Sequence, residues 1–442
     1  MTAAAVGRPR LVPRVSASFR NKEHTVMRVV ALVMMLSLTG PAADARQAAA
    51  DPGRALLEET AVRAAMDAVR RNEPQIIEEQ VRLCEIPAPP FGEAARAAAY
   101  RDAFAALGLR NVRIDEAGNV IGDRPGRAPR PRLVFSAHLD TVFPEGTDVR
   151  VARDGTLLRG PGIGDDCRGL AVVLGVIRAL DEAKVETEGT ITFVGTVGEE
   201  GLGDLRGVKH LFGVSLKGQI DRFVSVDGTG YGITHIGVGS HRYRITFKGP
   251  GGHSYGAFGL VNPIHALGRA IGAIADIQVP AEPKTTFNVG RIGGGTSVNS
   301  IAFSAWMEVD MRSADAAALA SVDASLQQAI DRALAAENER WSTGRLEVDR
   351  ELVGDRPAGR TVEDSPMVRA IVSVTRALEL PVALDEGSTD SNIAMSLGVP
   401  AVTIDGGGRG SGAHSLAETF DSTDSWKGTQ RALLAAVALA AR

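Results

Sequence analysis

The chain has 442 residues, of which 44% are hydrophobic and 23% are charged, a composition that suits one large or two ordinary globular domains. Its formal net charge of −4 argues against a nucleic-acid-binding protein, because such proteins usually carry a basic excess. The two cysteines, Cys84 and Cys167, cannot form the framework of a disulfide-stapled scaffold. We interpret both as small apolar residues with packed thiols; a single bridge between them is the alternative.

Residues 1–45 have the pattern of a targeting segment. An apolar run at 29–38 follows Arg28 and precedes an A-x-A sequence at 43–45, an order typical of a secretory signal peptide. The run is too short to span a bilayer comfortably. We therefore expect export to the periplasm or the medium, a signal peptide starting at Met27, and no stable membrane span after cleavage. A basic N-terminal segment or an uncleaved anchor is the alternative.

Helical spacing of apolar residues follows between about 55 and 107, with a break at IPAPPFGE. Farther along, short apolar runs end in polar residues and alternate with a helical pattern, which predicts an α/β fold with a mixed, largely parallel sheet. Ligands bind such sheets at the carboxyl ends of the strands. We assign 55–240 to the first part of this α/β domain. The three runs are RLVFSAHLDT, TITFVGTVGEE and RFVSVDG.

The pattern changes near residue 241. From HRYRITFKG onwards, strand and helix patterns follow the order β-α-β-β-α-β, which is a ferredoxin-like signature. We therefore predict an inserted α+β domain at 241–355. The α/β pattern then resumes, and 356–442 is predicted to complete the α/β domain.

Polar side chains stand at the ends of the predicted strands. His138 and Asp140 lie two residues apart in SAHLDT and face the same side of a strand. A histidine that binds a metal usually donates its other ring N–H to a carboxylate, and Asp140 is placed to accept it. Taken alone, an H-x-D pair is more often a surface pair.

Two pairs of adjacent acids follow. Asp165 and Asp166 stand in the tight loop GPGIGDDCRG, where two carboxylates repel each other unless a cation neutralises them, although one of them is suited to cap the next helix. Glu199 and Glu200 follow a buried strand, where a pair of acids is costly without a metal or a proton. A solvated acidic turn is the alternative for this second pair.

Two further side chains complete the set. Asp227 ends another strand, and His414 follows a glycine-rich loop near the C terminus. Imidazole and carboxylate ligands without cysteine suit zinc, and also manganese or cobalt. A shared carboxylate would allow two divalent ions to lie roughly 3.5–4 Å apart, as in two-metal hydrolases.

In order and spacing, these motifs resemble the metallopeptidase family that contains peptidase T, carboxypeptidase G, acetylornithine deacetylase and aminoacylase. The resemblance runs from about Ile86 to the C terminus, through SAHLDTV, GPGIGDDCRG, GEEG, VDG, GGHS and AHS. It implies a two-metal hydrolase domain with an inserted ferredoxin-like domain that serves as a lid and in dimerisation, and hence a homodimer. The sequence departs from the D-x-K-G motif of many relatives, since it has Asp-Asp-Cys-Arg-Gly.

The resemblance also implies roles for single residues. One aspartate bridges both metal ions, and four other side chains complete their coordination. By their match to the family motifs, Asp165 is the bridge and the other ligands are His138, Glu200, Asp227 and His414.

Five more residues match positions that act on the substrate or the ligands. The resemblance makes Glu199 the general base for a water shared by the two cations, and Asp140 the residue that assists His138. It implies that His253 in GPGGHS reaches the substrate carbonyl, often from the partner subunit. Asn299 and Arg312 match residues that hold substrate oxygens in relatives.

The substrate class rests on one position. Peptidase-type relatives tend to carry Asp at the position of Asp227, whereas deacylases tend to carry Glu. This favours a peptidase that cleaves di- or tripeptides, from either end, over an N-acyl-amino-acid amidohydrolase. A catalytically silent metal-binding protein is a distant alternative, because such relatives usually lose a ligand or the base.

Overall fold

The computed structural model describes residues 52–341 and 343–441. The predicted targeting segment, 1–45, lies outside these ranges. Within them, no helix has both the length and the apolar character needed to span a bilayer.

Most helices follow the predicted patterns, and the proline-rich break separates the second from the third. A 3₁₀ turn covers Gly201–Gly203 and a π-helical turn covers Leu211–Ser215. The α-helices of the described ranges are α1 (Pro52–Glu58), α2 (Thr60–Cys84), α3 (Ala94–Ala106), α4 (Cys167–Glu182), α5 (Arg206–His210), α6 (Pro263–Ala275), α7 (Ala316–Arg340), α8 (Pro366–Ala377), α9 (Ser391–Ser396) and α10 (Trp426–Leu439).

The strands of the described ranges are β1 (Arg110–Ile114), β2 (Val120–Arg124), β3 (Arg132–His138), β4 (Ala152–Asp154), β5 (Leu157–Arg159), β6 (Thr190–Thr196), β7 (Arg222–Val226), β8 (Gly232–Gly237), β9 (Gly239–Lys248), β10 (Gly252–His253), β11 (Thr285–Gly294), β12 (Ser300–Ile301), β13 (Ser304–Ser313), β14 (Glu347–Arg356), β15 (Gly359–Arg360), β16 (Ala383–Gly387), β17 (Ala401–Ile404), β18 (Arg409–Ser411) and β19 (Thr419–Asp421).

In this part of the chain, nine strands form the main sheet in the order β1-β2-β6-β3-β7-β17-β8-β15, with β16 beside β8. Its centre, β6-β3-β7-β17, is parallel, which confirms the predicted mixed, largely parallel sheet. Leu133 and Phe135 of β3 pack into one core, and Val134 packs into another on the opposite face. Because both faces are covered, the central strands are apolar throughout.

A second, antiparallel sheet has the order β11-β13-β9-β14, and α6 and α7 share its core. The chain order β9-α6-β11-β13-α7-β14 confirms the predicted ferredoxin-like arrangement. Its outermost strand residues, Gly239 and Arg356, lie next to the predicted limits at 241 and 355. The division of the chain into separate domains at those limits stays a prediction.

A small sheet of the order β18-β19-β5-β4 lies apart from the two larger ones. Each of its strands has three residues, which is too short for a recognisable alternation in sequence. It pairs the strand before the Asp165 loop with strands that flank His414. The small sheet therefore brings two distant loops to one place.

Cys84 and Cys167 form a disulfide, with their Cα atoms 5.4 Å apart. The prediction of two packed thiols is therefore wrong. The bridge joins the last residue of α2 to the first residue of α4 and packs beside Ile163 and Phe420. Both cysteines are buried, as expected of small apolar residues, but a contact between positions 83 residues apart leaves no local trace in the sequence.

Candidate metal centre

The predicted ligands come together at the carboxyl edge of the main sheet. β3 ends at His138, β6 is followed by Glu199 and Glu200, and β7 is followed by Asp227. Since these strands are parallel neighbours, their carboxyl ends meet at one edge. Asp165 reaches this edge from the loop that precedes α4.

His138 is oriented by its own strand end. Its Nδ1 lies 3.0 Å from the carbonyl oxygen of Asp140, which can only accept a hydrogen bond, so in the neutral imidazole Nε2 presents its lone pair. This Nε2 lies 3.0 Å from Asp165 Oδ1 and 3.8 Å from Asp227 Oδ1. The carboxylate of Asp140 lies farther from Nδ1, at 3.7 Å. The hydrogen-bond partner of Nδ1 is therefore the main-chain carbonyl of Asp140 and not its carboxylate, which the sequence had suggested.

The Asp140 carboxylate instead anchors the neighbouring strand end. It accepts hydrogen bonds from the amides of Glu199 (3.0 Å) and Glu200 (2.8 Å). Burial alone would raise the pKa of Asp140, but its contacts with His138 and these two amides hold the pKa below its ordinary value. Asp140 therefore stays ionised and fixes the backbone that carries the glutamate pair.

Asp165 stands between two imidazoles. Its Oδ1 lies 3.0 Å from His138 Nε2, and its Oδ2 lies 3.0 Å from His414 Nε2. Two groups of ligand atoms share it: one with His138 and Asp227, the other with Glu200 and His414, each within 4.8 Å. A carboxylate shared in this way has the arrangement of a bridge between two cations.

Asp166, the neighbour of Asp165, accepts hydrogen bonds from backbone amides. As the N-cap of α4, it accepts the amide of Gly169 at 3.0 Å, and its second oxygen accepts the amide of His138 at 3.0 Å. A Cβ on Gly169 would lie 2.2 Å from Asp166 Oδ1 and 2.4 Å from the carbonyl oxygen of Val226, so only glycine fits there. The adjacent acids divide into one that faces the site and one that supports it.

The residues present fit divalent ions. Burial would lower the pKa of His138, but the surrounding aspartates, led by Asp166, outweigh it and raise the pKa well above its ordinary value. Contacts with Asp165 and Glu200 raise the pKa of His414 to about 10. The cluster thus attracts positive charge, and its nitrogen and oxygen donors in two sets with a shared carboxylate suit two metal ions.

Four of the five candidate ligands, all except His138, line a cavity of about 460 Å³, here called the metal-site cavity. Its size falls in the range of pockets for small molecules. The cavity is lined by Val142, Asp165, Glu199, Glu200, Gly201, Asp227, Arg242, Arg312, Arg356, Gly387, Ser388, Thr389 and His414.

Sequence reasoning missed Arg356 and the way it holds Glu199. Arg356 Nη1 lies 3.2 Å from Glu199 Oε1, and its Nη2 donates to the carbonyl oxygen of Glu199. Burial raises the pKa of Glu199, and the guanidinium opposes that rise. The two residues are 157 positions apart, so no local pattern links them.

Glu418 is a second missed residue. Its carboxylate accepts the amides of Gly162 (2.9 Å), Gly164 (2.8 Å) and Asp165 (3.1 Å). Glu418 is buried and follows His414 by four residues, so it links the loops that carry both ligands. An acid that close to a candidate ligand is the only signal that the sequence offers for it.

The predicted substrate residues divide into two places. Arg312 lines the metal-site cavity and donates from Nε to Asp310 at 2.8 Å. His253 lies on the short β10–β12 ribbon, and the main-chain carbonyl oxygen of Asn299 accepts the amide of Ser254 at 2.9 Å. His253 and Asn299 are exposed, and neither is among the described residues that line the cavity.

Known proteins share this architecture. The chain is 28% identical over 359 residues to YqjE of Bacillus subtilis (strain 168), a match that covers 75% of this chain and 90% of that relative. A tripeptidase from Staphylococcus aureus subsp. aureus Mu50 has a TM-score of 0.69 at 23% identity, over 84% of this chain and 98% of that one. A dinuclear metal-binding peptidase from Bacillus subtilis, YxeP, has a TM-score of 0.62 at 18% identity, over 83% and 98%.

The match to a family model is broader than any single motif. Residues 134–438 match the model of peptidase family M20/M25/M40, a span that includes every proposed metal ligand. This confirms the resemblance on which the assignment of the motifs rests. The chain belongs to peptidase family M20/M25/M40.

Proposed function

We propose that the chain is a peptidase that hydrolyses an amide bond of a di- or tripeptide at the metal-site cavity. The observation that carries the proposal is the pair of ligand groups that share Asp165. Two divalent ions, zinc in preference to cobalt or manganese, would lower the pKa of a shared water and polarise the scissile carbonyl.

Glu199 is proposed as the general base. It lines the metal-site cavity, and one of its oxygens lies within 4.8 Å of ligand atoms of His138 and Glu200. From this position the carboxylate takes a proton from the attacking water and passes it to the leaving nitrogen. Arg312, which lines the same cavity, offers a guanidinium to a substrate oxygen.

The proposed substrate class combines three observations. The cavity volume suits a small peptide, Asp227 occupies the position at which deacylase relatives tend to carry Glu, and a similar solved structure is a tripeptidase. N-acyl amino acids are the competing substrates that a direct comparison must include.

A homodimer is proposed through the surface around the β10–β12 ribbon. Large apolar side chains near His253 and Asn299 are exposed: Tyr255 by 90%, Phe258 by 79% and Val298 by 103%. Exposed apolar groups in one region are typical of an interaction surface. In such a dimer, the partner subunit's His253 would reach the substrate carbonyl in the metal-site cavity.

Export is proposed from two features. The apolar run at 29–38 has the order of a signal peptide, and the disulfide between Cys84 and Cys167 favours an oxidising compartment, because cytosolic thiols are kept reduced. N-terminal sequencing of the protein from culture medium or periplasm should find a start near Arg46. An intact N terminus on cytosolic protein contradicts export.

The proposed function is tested by assaying zinc-reconstituted protein on a panel of dipeptides, tripeptides, and N-acetyl and N-succinyl amino acids. Hydrolysis of peptides that a chelator abolishes and added zinc restores is the expected result. Faster turnover of the acyl amino acids would show that the protein is a deacylase and not a peptidase. Chelator-resistant hydrolysis, or none on any substrate, would contradict the two-metal mechanism.

A further inference from the structure

A buried arginine stands where the second sheet leads back into the main sheet. Arg356 is the last residue of β14 and pairs with Ser240, near the start of β9. Asn392 Nδ2 donates to the carbonyl oxygens of Val238 (2.9 Å) and Pro357 (3.0 Å), beside the ends of the same two strands. Arg356 therefore lies at a junction where residues next to both strands are hydrogen-bonded to the side chain of Asn392.

From this junction the guanidinium reaches Glu199 at two points. Nη1 lies 3.2 Å from Glu199 Oε1 and 3.3 Å from Ser388 Oγ, and Nη2 donates to the carbonyl oxygen of Glu199. The side chains of Arg356 and Glu199 are only 4% and 7% exposed. One planar guanidinium thus contacts both the backbone and the carboxylate of a single glutamate, and both side chains are almost fully buried.

The backbone of Glu199 has a further anchor, because its amide donates to Asp140 at 3.0 Å. This backbone hydrogen bond does not fix the side-chain torsion angles that determine where the carboxylate of Glu199 lies. A general base must stay within hydrogen-bond reach of the proton it takes, and a displacement of about 1 Å can reduce the rate roughly 100-fold.

We propose that Arg356 is a positioning residue, which holds the carboxylate of Glu199 at the place where it acts. The proposal rests on the proposed function, in which Glu199 is the base. Because the strand β14 carries Arg356, the position of the second sheet also sets the orientation of the base. We expect lysine to be a poor replacement, since its one nitrogen does not reproduce the separate contacts of Nη1 and Nη2.

The test uses zinc-reconstituted protein with R356M, R356K and the control K209M. Lys209 bridges the same region, donating to Asp204 Oδ2 at 2.6 Å and to the carbonyl oxygen of Asp355 at 2.8 Å, without a contact to Glu199. We expect kcat to fall roughly 100-fold in both Arg356 variants, with KM and bound zinc unchanged, and K209M to retain wild-type kcat. Wild-type kcat in R356M or R356K overturns the proposal, as does an equal loss in K209M.

A double-mutant cycle provides a measurement that needs no turnover. The thermal midpoints of R356M, E199Q and R356M/E199Q are compared with that of the wild type, all with zinc bound. Residues in contact give non-additive changes, so the shift of the double variant should be smaller than the sum of the single shifts. Additive shifts overturn the proposal. If the wild type hydrolyses no amide while the shifts stay non-additive, the proposed function fails but the contact stands.

Discussion

Neighbouring residues of identical chemistry have separate roles in this site. Asp165 directs its two oxygens at His138 and His414, whereas Asp166 directs its oxygens at the amides of Gly169 and His138. The difference follows from geometry: an acid that caps a helix has its oxygens occupied by N–H donors. Of the two acids, only Asp165 belongs to the candidate ligand groups.

Glu199 and Glu200 both line the metal-site cavity but are proposed to have different roles, which gives a prediction for Glu199. E199Q removes the basic carboxylate but keeps the side-chain size, and Glu199 belongs to neither ligand group that shares Asp165. We expect two metal ions to stay bound while kcat falls roughly 10²–10⁴-fold. Metal analysis together with steady-state kinetics checks this, and retained turnover would refute the role of Glu199 as base.

Glu418 permits a second test on a single residue. In E418Q the amide nitrogen of glutamine cannot accept, so some of the three N–H groups from Gly162, Gly164 and Asp165 lose a partner. We expect metal affinity to fall roughly 10–100-fold and stability to fall by about 1–3 kcal/mol. Calorimetric zinc titration measures the first effect, and E363Q, at an exposed glutamate, is the matched control. Unchanged zinc affinity would show that the loop holds its shape without this carboxylate.

At the level of elements, the candidate site depends on strand pairing and a disulfide that link the Asp165 loop and the His414 loop to the rest of the chain. β19 pairs with both β5 and β18, and these strands flank the Asp165 loop and the His414 loop. The disulfide adds a covalent link from α2 to the first residue of α4, two positions after Asp165. Loops rich in glycine are costly to order, so these connections are what keep the two ligands near each other.

The disulfide leads to a prediction about stability. Replacing both cysteines in C84A/C167A frees a segment of 83 residues in the unfolded chain, and we expect a loss of about 2–5 kcal/mol. Urea unfolding of the oxidised wild type and of the double variant measures it. Reductant should lower the wild-type midpoint and leave the variant unchanged. A wild-type midpoint that ignores reductant under denaturing conditions would contradict a stabilising bridge.

At the level of the whole molecule, the separation of His253 from the metal-site cavity has a consequence for assembly. His253 is exposed on the β10–β12 ribbon, whereas the ligands and Glu199 lie at the edge of the main sheet. If the homodimer supplies His253 across the interface, each complete site needs residues from two chains.

Mixing two inactive variants tests this arrangement. In a heterodimer of E199Q and H253A, one of the two sites has both an intact Glu199 and an intact His253 from the partner subunit. Random exchange should therefore restore roughly a quarter of wild-type activity, since half of the dimers are mixed. Each variant alone serves as the control. No recovery after verified subunit exchange would place the action of His253 within its own chain or exclude it.

The sequence by itself determined the α/β architecture, the chain order of the ferredoxin-like unit and the strand-end positions of several candidate ligands. Apolar periodicity follows the local geometry of strands and helices, and parallel neighbours must end at one edge of their sheet. His138, Glu200 and Asp227 were therefore recognisable from their place after buried strands.

Only the tertiary structure decided which distant groups touch. Three such contacts join positions far apart in the chain. Arg356 donates to Glu199, Cys84 is disulfide-bonded to Cys167, and Glu418 accepts amides of the Asp165 loop. Such contacts depend on the path of loops and on packing against the sheets, and neither leaves a periodic pattern in the residues concerned. The sequence shows which polar side chains follow each strand, whereas the folded chain decides which contacts orient those side chains.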